Sequence, residues 1–206
     1  MCQKFWTRPI NTKQQQKQNK MSFTSKELIT TDKDLMKYLK RIPKALKFIN
    51  NGALIIPYDK LLTLKHNIFS YRRKMAIVLN SAHSQEIYQT TGHWFLLALD
   101  LRSHDKRCLL VDSLASVYRD KKEIKDTIDT FCSTHHLFLS HFNLVTQSRK
   151  NLSCGFFLIY FLRLFTIRNI PHFAKLKQLL KNYSLLEREK YILKRAYKLC
   201  KFGFLS

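Results

Sequence analysis

The chain has 206 residues, of which 45% are hydrophobic and 13% aromatic, and 37 Lys and Arg face 14 Asp and Glu. This composition excludes a globally disordered chain and suits one domain with an apolar core. The net charge of +23 indicates an anionic partner, of which nucleic acid is the commonest. A generally cationic surface without a specific ligand is the simpler alternative.

The cysteines argue against a metal-binding or disulfide-rich protein. Their number is odd and no two have the CxxC or CxxH spacing, so we expect neither a zinc ribbon nor a disulfide scaffold. A reducing, intracellular compartment and no bound metal are the predictions that follow. The five are Cys2, Cys108, Cys132, Cys154 and Cys200.

No segment is predicted to enter a membrane. The longest apolar run, after Cys154, is interrupted by Arg163 and Arg168, and the N-terminus lacks the apolar centre of a signal peptide. Residues 11–20, "NTKQQQKQNK", contain no apolar residue, so residues 1–22 are predicted to be a flexible polar leader. Residues 23–206 then form a single domain, and Met21 is an alternative start.

The first half of that domain predicts one helix followed by strands. Thr31 is a plausible N-cap, and Pro43 ends an apolar stripe at helical spacing formed by Leu35, Met36, Leu39 and Ile42. The apolar runs 75–80, 94–100 and 108–112 predict central strands. The segment "RSHDKR" between the last two predicts a hairpin and therefore an antiparallel pair.

The second half is predicted to be mainly helical. Within residues 117–131 the apolar residues recur at helical spacing, which predicts a helix, and residues 137–145 predict another strand. Residues 154–168 are apolar on all faces, which is typical of a buried helix, and the last 25 residues predict an amphipathic helix. The predicted class is α+β.

Cys154 lies where a polar loop meets that buried helix. A nucleophilic cysteine needs a lowered pKa, which a helix N-terminus and a nearby imidazolium provide. Ser153 is a candidate N-cap, and the N–H groups of Cys154 and Gly155 would face a developing oxyanion. The side-chain amide of Gln147 could supply a further donor to that oxyanion hole.

The best candidate for the base is His93, which follows Gly92 at the head of a predicted strand. Asp112 ends the neighbouring strand among apolar residues, where a carboxylate is costly unless it is paired. If the two strands are adjacent, Asp112 can hold the His93 ring in one tautomer. Trp94 would then form a wall of the site.

Each of these residues also has an ordinary structural interpretation. A buried cysteine is usually a core residue, a lone histidine is usually on the surface, an aspartate at a strand end is often a turn former, and a glutamine before a helix is often solvated. Their joint order and contexts favour a thiol protease with His93, Asp112 and Cys154 as the catalytic residues. That chemistry requires no cofactor.

The pattern resembles the adenovirus endopeptidase family and the related proteases of ubiquitin-like proteins. The residues that carry the resemblance are "GHW", "VDS", Gln147 and "CG" around the site. "PYDK" at 57–60, "MAIVLNS" at 75–81, the Gln147-to-Cys154 interval and "YSLLERE" at 183–189 also look like the adenovirus enzymes. The sequence "VDSL" is closer to that of the SUMO-type proteases. The proteases of adintovirus-like and polinton-type elements resemble both the adenovirus enzymes and the SUMO-type proteases.

The resemblance implies a papain-like, circularly permuted fold with a central mixed or antiparallel sheet, a buried nucleophile helix and a C-terminal amphipathic helix. It implies a viral maturation endopeptidase that cuts capsid and core precursors at small-residue sites of the Gly-Gly or Gly-X-Gly type. Such an enzyme would act in the virion and the host nucleus.

In that family, viral DNA and a short basic peptide act as activators. The peptide is tethered through a cysteine, but "FCSTHHLFLS" has two histidines at the expected place, with Cys132 only nearby. The sequence therefore leaves open whether this protein has an activating peptide, and it does not predict a disulfide tether for such a peptide. The net charge independently favours DNA. Candidate contacts, which are equally well explained as solvated surface, are Arg72, Arg73, Lys74, Lys190, Lys194, Arg195 and Lys198.

Two other functions are consistent with the sequence. One is a cellular-type protease that removes SUMO or another ubiquitin-like modifier. The other is a basic nucleic-acid-binding protein in which the Cys-His-Asp group has no catalytic role. A monomer is expected, because no heptad repeat or pairing surface is visible.

Overall fold

The computed structural model describes residues 32–39, 53–69, 72–84, 92–102, 104–149, 153–168 and 170–202. The predicted leader, Thr31, Ile42 and Pro43 lie outside the described residues.

The centre of the fold is a mixed sheet with the strand order β1-β2-β3-β4-β5. β2 and β3 are antiparallel, as are β3 and β4, whereas the two outer pairs are parallel. The predicted antiparallel pairing across "RSHDKR" is therefore confirmed. The strands are Ala53–Pro57, Lys74–Asn80, Trp94–Asp100, Arg107–Val111 and Phe138–His141.

Among the described residues, six α-helices surround the sheet, and two short 3₁₀ helices follow β1. The α-helices are α1 (Asp32–Leu39), α2 (Val117–Asp120), α3 (Lys122–Thr134), α4 (Cys154–Ile167), α5 (Pro171–Leu180) and α6 (Leu185–Phe202). The 3₁₀ helices are Tyr58–Thr63 and His66–Phe69.

The two faces of the sheet bury different cores, because successive side chains of a strand point to opposite sides. One face packs against α4, α5 and α6, and the α4 phenylalanines are among its largest buried side chains. The other face packs against α3 and the first 3₁₀ helix. The predicted α+β fold with a buried helix beginning at Cys154 is thus observed, and α4 is buried on nearly every side.

The structure corrects the predicted elements in four places. The predicted helix 117–131 is two helices, since the chain is extended at Lys121, with φ −118° and ψ 97°. The predicted strand 137–145 ends at His141, and residues 142–147 form a loop. β1 and α5 were not predicted, although β1 is a short apolar run and the buried Phe173, Leu176 and Leu180 of α5 have helical spacing. Within the described part of the chain, no helix is long and apolar enough to cross a bilayer.

Candidate active site

The sheet brings His93 and Asp112 to one edge. β3 begins at Trp94 and β4 ends at Val111, and the antiparallel register places this start and this end together. His93 precedes β3 and Asp112 follows β4. The Nε2 atom of His93 lies 2.7 Å from Oδ1 of Asp112, so the predicted pair is formed.

Asp112 is buried, and every one of its contacts favours the charged form. Its Oδ1 also accepts the N–H of Leu114, and its Oδ2 accepts the N–H groups of Ser116 and Val117, each at 2.9 Å. Burial alone would raise the pKa of this carboxyl. The hydrogen bond and charge of His93, with these backbone donors, outweigh burial and lower the pKa. The carboxylate is therefore kept ionised and fixed toward the imidazole.

Gly92 allows the chain to approach the sheet closely just before His93. A Cβ at this position would lie 1.6 Å from Oδ1 of Asn80 and 2.6 Å from the backbone N of Ala82, distances that no side chain tolerates. Ser81 then holds His93 on both sides, because its N–H donates to the His93 carbonyl at 3.0 Å and its hydroxyl accepts the His93 N–H at 2.8 Å. The backbone of the histidine is fixed to the end of β2.

Cys154 is the first residue of α4, where the helix dipole favours an anion. Ser153 occupies the N-cap position, as predicted, but its side chain makes no capping hydrogen bond; its carbonyl accepts the N–H groups of Phe156 and Phe157. At the opposite end of α4, Nζ of Lys74 donates to the carbonyls of Phe165 and Thr166 at 3.2 and 2.8 Å. The end of α4 is thereby fixed to β2.

The imidazole of His93 and the thiol of Cys154 are hydrogen-bonded to each other. Because Nε2 of His93 is engaged by Asp112, Nδ1 is the nitrogen left for the sulfur. Burial would lower the pKa of His93, but the hydrogen bonds and charges of Asp112 and Cys154 outweigh it and raise the pKa to about 9. Burial would raise the pKa of Cys154, but His93 and the N–H groups of Trp94 and Gly155 outweigh it and lower the pKa. Both directions favour a thiolate–imidazolium ion pair.

A second buried cysteine shows the opposite behaviour. Cys108 lies on β4 on the far face of the sheet, where its thiol is hydrogen-bonded to that of Cys132. This contact and complete burial raise the pKa of Cys108 well above that of an ordinary thiol. Burial of a cysteine is therefore not what activates Cys154; the imidazole and the backbone donors are.

Gln147 is buried and is joined to the Asp112 turn by two hydrogen bonds of its own and by one from the backbone of its neighbour Thr146. Its Oε1 accepts the hydroxyl of Ser113 at 2.5 Å, and the carbonyl of Ser113 accepts the N–H groups of Thr146 and Gln147 at 2.8 and 3.0 Å. Because the oxygen of the amide is occupied by Ser113, its NH₂ group is directed away from that hydroxyl. Sequence reasoning missed Ser113, although "VDS" was among the motifs that carry the resemblance.

Trp94 is almost completely buried and shares the apolar cluster that contains Cys154. Its backbone N–H donates to the Cys154 sulfur, as noted above. The structure therefore places Trp94 next to Cys154, and its role as a wall of the substrate cleft stays a prediction.

The predicted DNA contacts are spread over two regions. Lys190, Lys194, Arg195 and Lys198 are exposed on α6, and Arg195 stacks on Tyr191 with 3.4 Å between its Cζ atom and the ring centroid. Arg73 is exposed, Arg72 is half-buried, and Lys74 already binds the α4 carbonyls. The described residues contain no cluster of three or more His, Cys, Asp or Glu that could hold a metal.

Comparisons with known proteins identify the fold but not a family. Neither protein-family models nor curated proteins match the chain. Among solved structures, ChlaDub1 from Chlamydia trachomatis matches with a TM-score of 0.54 and 12% identity, over 91% of this chain and 98% of that one. AvrA, solved with IP6 and CoA, matches with a TM-score of 0.51 and 13% identity, over 81% of this chain. This chain spans only 58% of AvrA.

A protease of ASFV matches more weakly, with a TM-score of 0.45 and 14% identity, over 84% of this chain and 68% of that one. At these identities the likeness shows the fold alone. The fold is that of the papain-like cysteine proteases.

Proposed function

We propose that this protein is a cysteine endopeptidase in which Cys154 is the nucleophile, His93 the acid and base, and Asp112 the residue that orients His93. One observation carries the proposal. A cysteine at the N-terminus of a buried helix is hydrogen-bonded to a histidine whose other ring nitrogen lies 2.7 Å from a buried carboxylate. This is the geometry that thiol proteases require.

The chemistry follows from the ion pair. The Cys154 thiolate attacks the scissile carbonyl carbon, and a C–S bond forms while the carbonyl oxygen becomes an oxyanion. The His93 imidazolium then gives its proton to the leaving amine as the C–N bond breaks, which leaves a thioester on Cys154. Water hydrolyses this thioester with His93 as base, and the sulfur leaves as thiolate.

The oxyanion would be stabilised by the backbone N–H of Cys154 and the side-chain NH₂ of Gln147, with Gly155 next to the sulfur. The Ser113 hydroxyl supports the role of Gln147, because it engages the amide oxygen and leaves the NH₂ group as the donor. Preorganised donors of this kind are worth roughly 10²- to 10³-fold in kcat.

For the substrates, we propose viral precursor proteins cut at Gly-Gly or Gly-X-Gly sites in the virion and host nucleus. The resemblance in "GHW", "VDS", Gln147 and "CG" supports this substrate class. The net charge of +23 supports stimulation by DNA, since a basic enzyme is held near substrates that are bound to the same polyanion.

The nucleophile is tested by comparing Cys154→Ala with Cys132→Ala. Both remove a buried sulfur, but only the first should abolish cleavage of a Leu-X-Gly-Gly-X peptide, because Cys132 lies on the opposite face of the sheet. Iodoacetamide should alkylate Cys154 faster than a free cysteine at neutral pH, since its pKa is lowered. Equal cleavage by the two variants would contradict the proposal and favour a non-catalytic nucleic-acid-binding protein.

The substrate class is tested with the same enzyme on two substrates. Cleavage of the peptide that duplex DNA stimulates and added salt suppresses is expected. Cleavage of folded ubiquitin-like fusions alone, unaffected by DNA, would instead identify a deconjugating protease.

The DNA surface is tested by replacing two lysines on each of two helices with alanine. Lys190→Ala with Lys194→Ala should reduce DNA stimulation and flatten its salt dependence by roughly two phosphate contacts. The control is Lys175→Ala with Lys177→Ala, which lowers the net charge by the same amount but on α5. An equal effect of both pairs would show that net charge matters and that α6 is not a binding surface.

A further inference from the structure

The segment that carries Gln147 has little regular structure of its own. Residues 142–149, here called the Gln147 loop, follow β5 and contain one internal backbone hydrogen bond, from the N–H of Leu144 to the carbonyl of Phe142, among those the structure describes. Its remaining hydrogen bonds go to other parts of the chain. A buried amide on such a loop needs external support if its position is to be fixed.

α6 begins with a capping box that sets the orientation of its first turn. The hydroxyl of Ser184 accepts the N–H of Glu187 at 3.3 Å, and Oε2 of Glu187 accepts the N–H of Ser184 at 2.8 Å. The next two residues, Arg188 and Glu189, both contact the Gln147 loop.

Arg188 joins three segments through one guanidinium group. Its Nε donates to the carbonyl of Leu180 at 2.9 Å and its Nη2 to the carbonyl of Lys181 at 3.0 Å, both at the end of α5. Its Nη1 donates to the carbonyl of Val145 at 3.2 Å, two residues before Gln147. The rigid fork of the guanidinium thereby fixes the loop relative to both helices.

Glu189 binds the loop on the other side of Gln147. Its carboxylate is buried, with 9% of the residue exposed, and Oε1 accepts the N–H of Ser148 at 3.0 Å. A hydrogen bond from a backbone N–H to a carboxylate is among the stronger ones in proteins. Gln147 is therefore flanked by one contact two residues before it and one contact one residue after it, both made by α6.

We propose that Arg188 and Glu189 are positioning residues that hold Gln147 in the oxyanion hole. This inference rests on the proposed peptidase function. Ser113 fixes the amide group itself, whereas α6 fixes the backbone from which the amide projects. Because an oxyanion donor must match the position of the developing charge closely, a shift of about 1 Å in this backbone costs roughly 100-fold in rate.

The test compares Glu189→Ala with Glu187→Ala. Both remove a carboxylate near the start of α6, but the carboxylate of Glu187 accepts hydrogen bonds from Ser184 at the helix cap, so this variant is the control for helix capping. Glu189→Ala should lower kcat roughly ten- to hundred-fold with less change in KM, and it should weaken inhibition by a peptide aldehyde, whose adduct carries the oxyanion. Glu189→Gln, which retains an acceptor oxygen, should restore most of the activity.

Alkylation of Cys154 by iodoacetamide separates positioning from general damage, because it reports the ion pair and does not need the oxyanion hole. Its rate should be unchanged in Glu189→Ala and in Arg188→Ala. A parallel loss of alkylation, or a Glu189→Ala variant as active as Glu187→Ala, would overturn the inference.

Hydrogen exchange of the Gln147 loop gives a result that does not depend on activity. The N–H of Ser148 should exchange faster in Glu189→Ala than in Glu187→Ala. Equal exchange in the two variants would show that α6 does not hold the loop. A wild-type protein that cleaves no peptide would overturn the proposed function, and with it the catalytic part of the inference, while the exchange rates would still decide whether the support exists.

Discussion

The two halves of the candidate site are held in different ways. The His93–Asp112 pair belongs to the sheet: Ser81 fixes the backbone of His93 at the end of β2, and Asp112 is bonded within the turn that follows β4. Gln147 belongs to a loop, and its position depends on Ser113 and on α6, whose residues follow it by some 40 positions in the chain.

In the proposed mechanism, this difference separates activation of the nucleophile from stabilisation of the oxyanion. Changes on the sheet side should alter the ion pair, its pH dependence and the rate of alkylation. Changes on the loop side should alter turnover and leave alkylation unchanged. Peptide cleavage and thiol alkylation, measured together, therefore show which half of the site a substitution has disturbed.

The largest effect is expected from Asp112→Ala, which removes the carboxylate from the sheet side. Peptide cleavage should fall roughly 10²- to 10⁴-fold, because His93 loses both its orientation and its counter-charge. Alkylation of Cys154 should fall as well. Asp100→Ala, which removes an aspartate at the opposite end of β3, is the control and should retain activity. Normal alkylation in Asp112→Ala would contradict the assignment of this carboxylate to the ion pair.

The same pair predicts the pH dependence. The pKa of His93 is raised to about 9, so the imidazolium is present below that pH and is lost above it, and kcat/KM should decline as the pH rises through about 9. The free energy of unfolding changes in the same direction. The contribution of His93 to it is fully present below about pH 6.5, the ordinary pKa of a histidine, and is lost as the pH rises through about 9. Asp112→Asn should move the decline in kcat/KM to lower pH, because the negative charge that raises the pKa is gone. A decline at the same pH in both proteins would exclude His93 as its origin.

A smaller effect is expected from Gly92→Ala, which disturbs the sheet side through the backbone. Since the added Cβ would overlap Oδ1 of Asn80, the segment before His93 must move, and a displacement of about 1 Å costs roughly 100-fold in rate. Cleavage and alkylation should fall together, and the free energy of unfolding should decrease by about 1–3 kcal/mol in urea denaturation. Unchanged kinetics would mean that the backbone of His93 tolerates displacement.

Ser113→Ala should have a smaller effect, confined to the loop side. The amide of Gln147 remains but loses the hydrogen bond that Ser113 gives to its oxygen, so kcat should fall roughly ten-fold, less than the 10²- to 10³-fold typical of losing a donor outright. Alkylation of Cys154 should be unchanged. The control is Ser116→Ala, which removes another buried hydroxyl of the same turn. The side chain of Ser116 makes no capping hydrogen bond to α2. If both variants behaved alike, the bond from Ser113 to Gln147 would have no catalytic role.

The smallest kinetic effect is expected from Lys74→Met, which removes the ammonium group that binds the end of α4. Loss of these two hydrogen bonds should reduce the free energy of unfolding by about 1–2 kcal/mol, with little change in kcat at temperatures where the protein is folded. Thermal unfolding and peptide cleavage check the two parts separately. A large loss of kcat without loss of stability would place Lys74 in the active site.

The sheet side could largely be predicted from the sequence. The apolar runs of β2, β3 and β4 and the "RSHDKR" connection indicated adjacent strands, and adjacency places His93 next to Asp112. The helix at Cys154 was also predicted, because its apolar residues cover every face. These features are local in the chain, so periodicity reports them directly.

The loop side could not be predicted in the same way. The contacts of Ser113, Arg188 and Glu189 join residues 34 to 43 positions apart, and no local pattern encodes such pairs. The predicted strand 137–145 was too long because some of residues 142–145 are apolar and look like a continuation of the strand. In the structure the strand ends at His141, and residues 145–148 contact Ser113 and α6 instead of continuing it. One signal was readable: Ser184 and Glu187 have the spacing of a capping box, which marks where α6 begins.

The position of α6 has a consequence for biosynthesis. Residues 93, 112, 147 and 154 leave the ribosome before residues 188 and 189, and α6 also supplies Ile192, Leu193 and Ala196 to the core around the nucleophile. A nascent chain thus carries every reacting group before it has the helix that completes their surroundings. The proposed peptidase activity should therefore appear only after translation has passed this helix, which would keep an incomplete enzyme from digesting neighbouring nascent proteins.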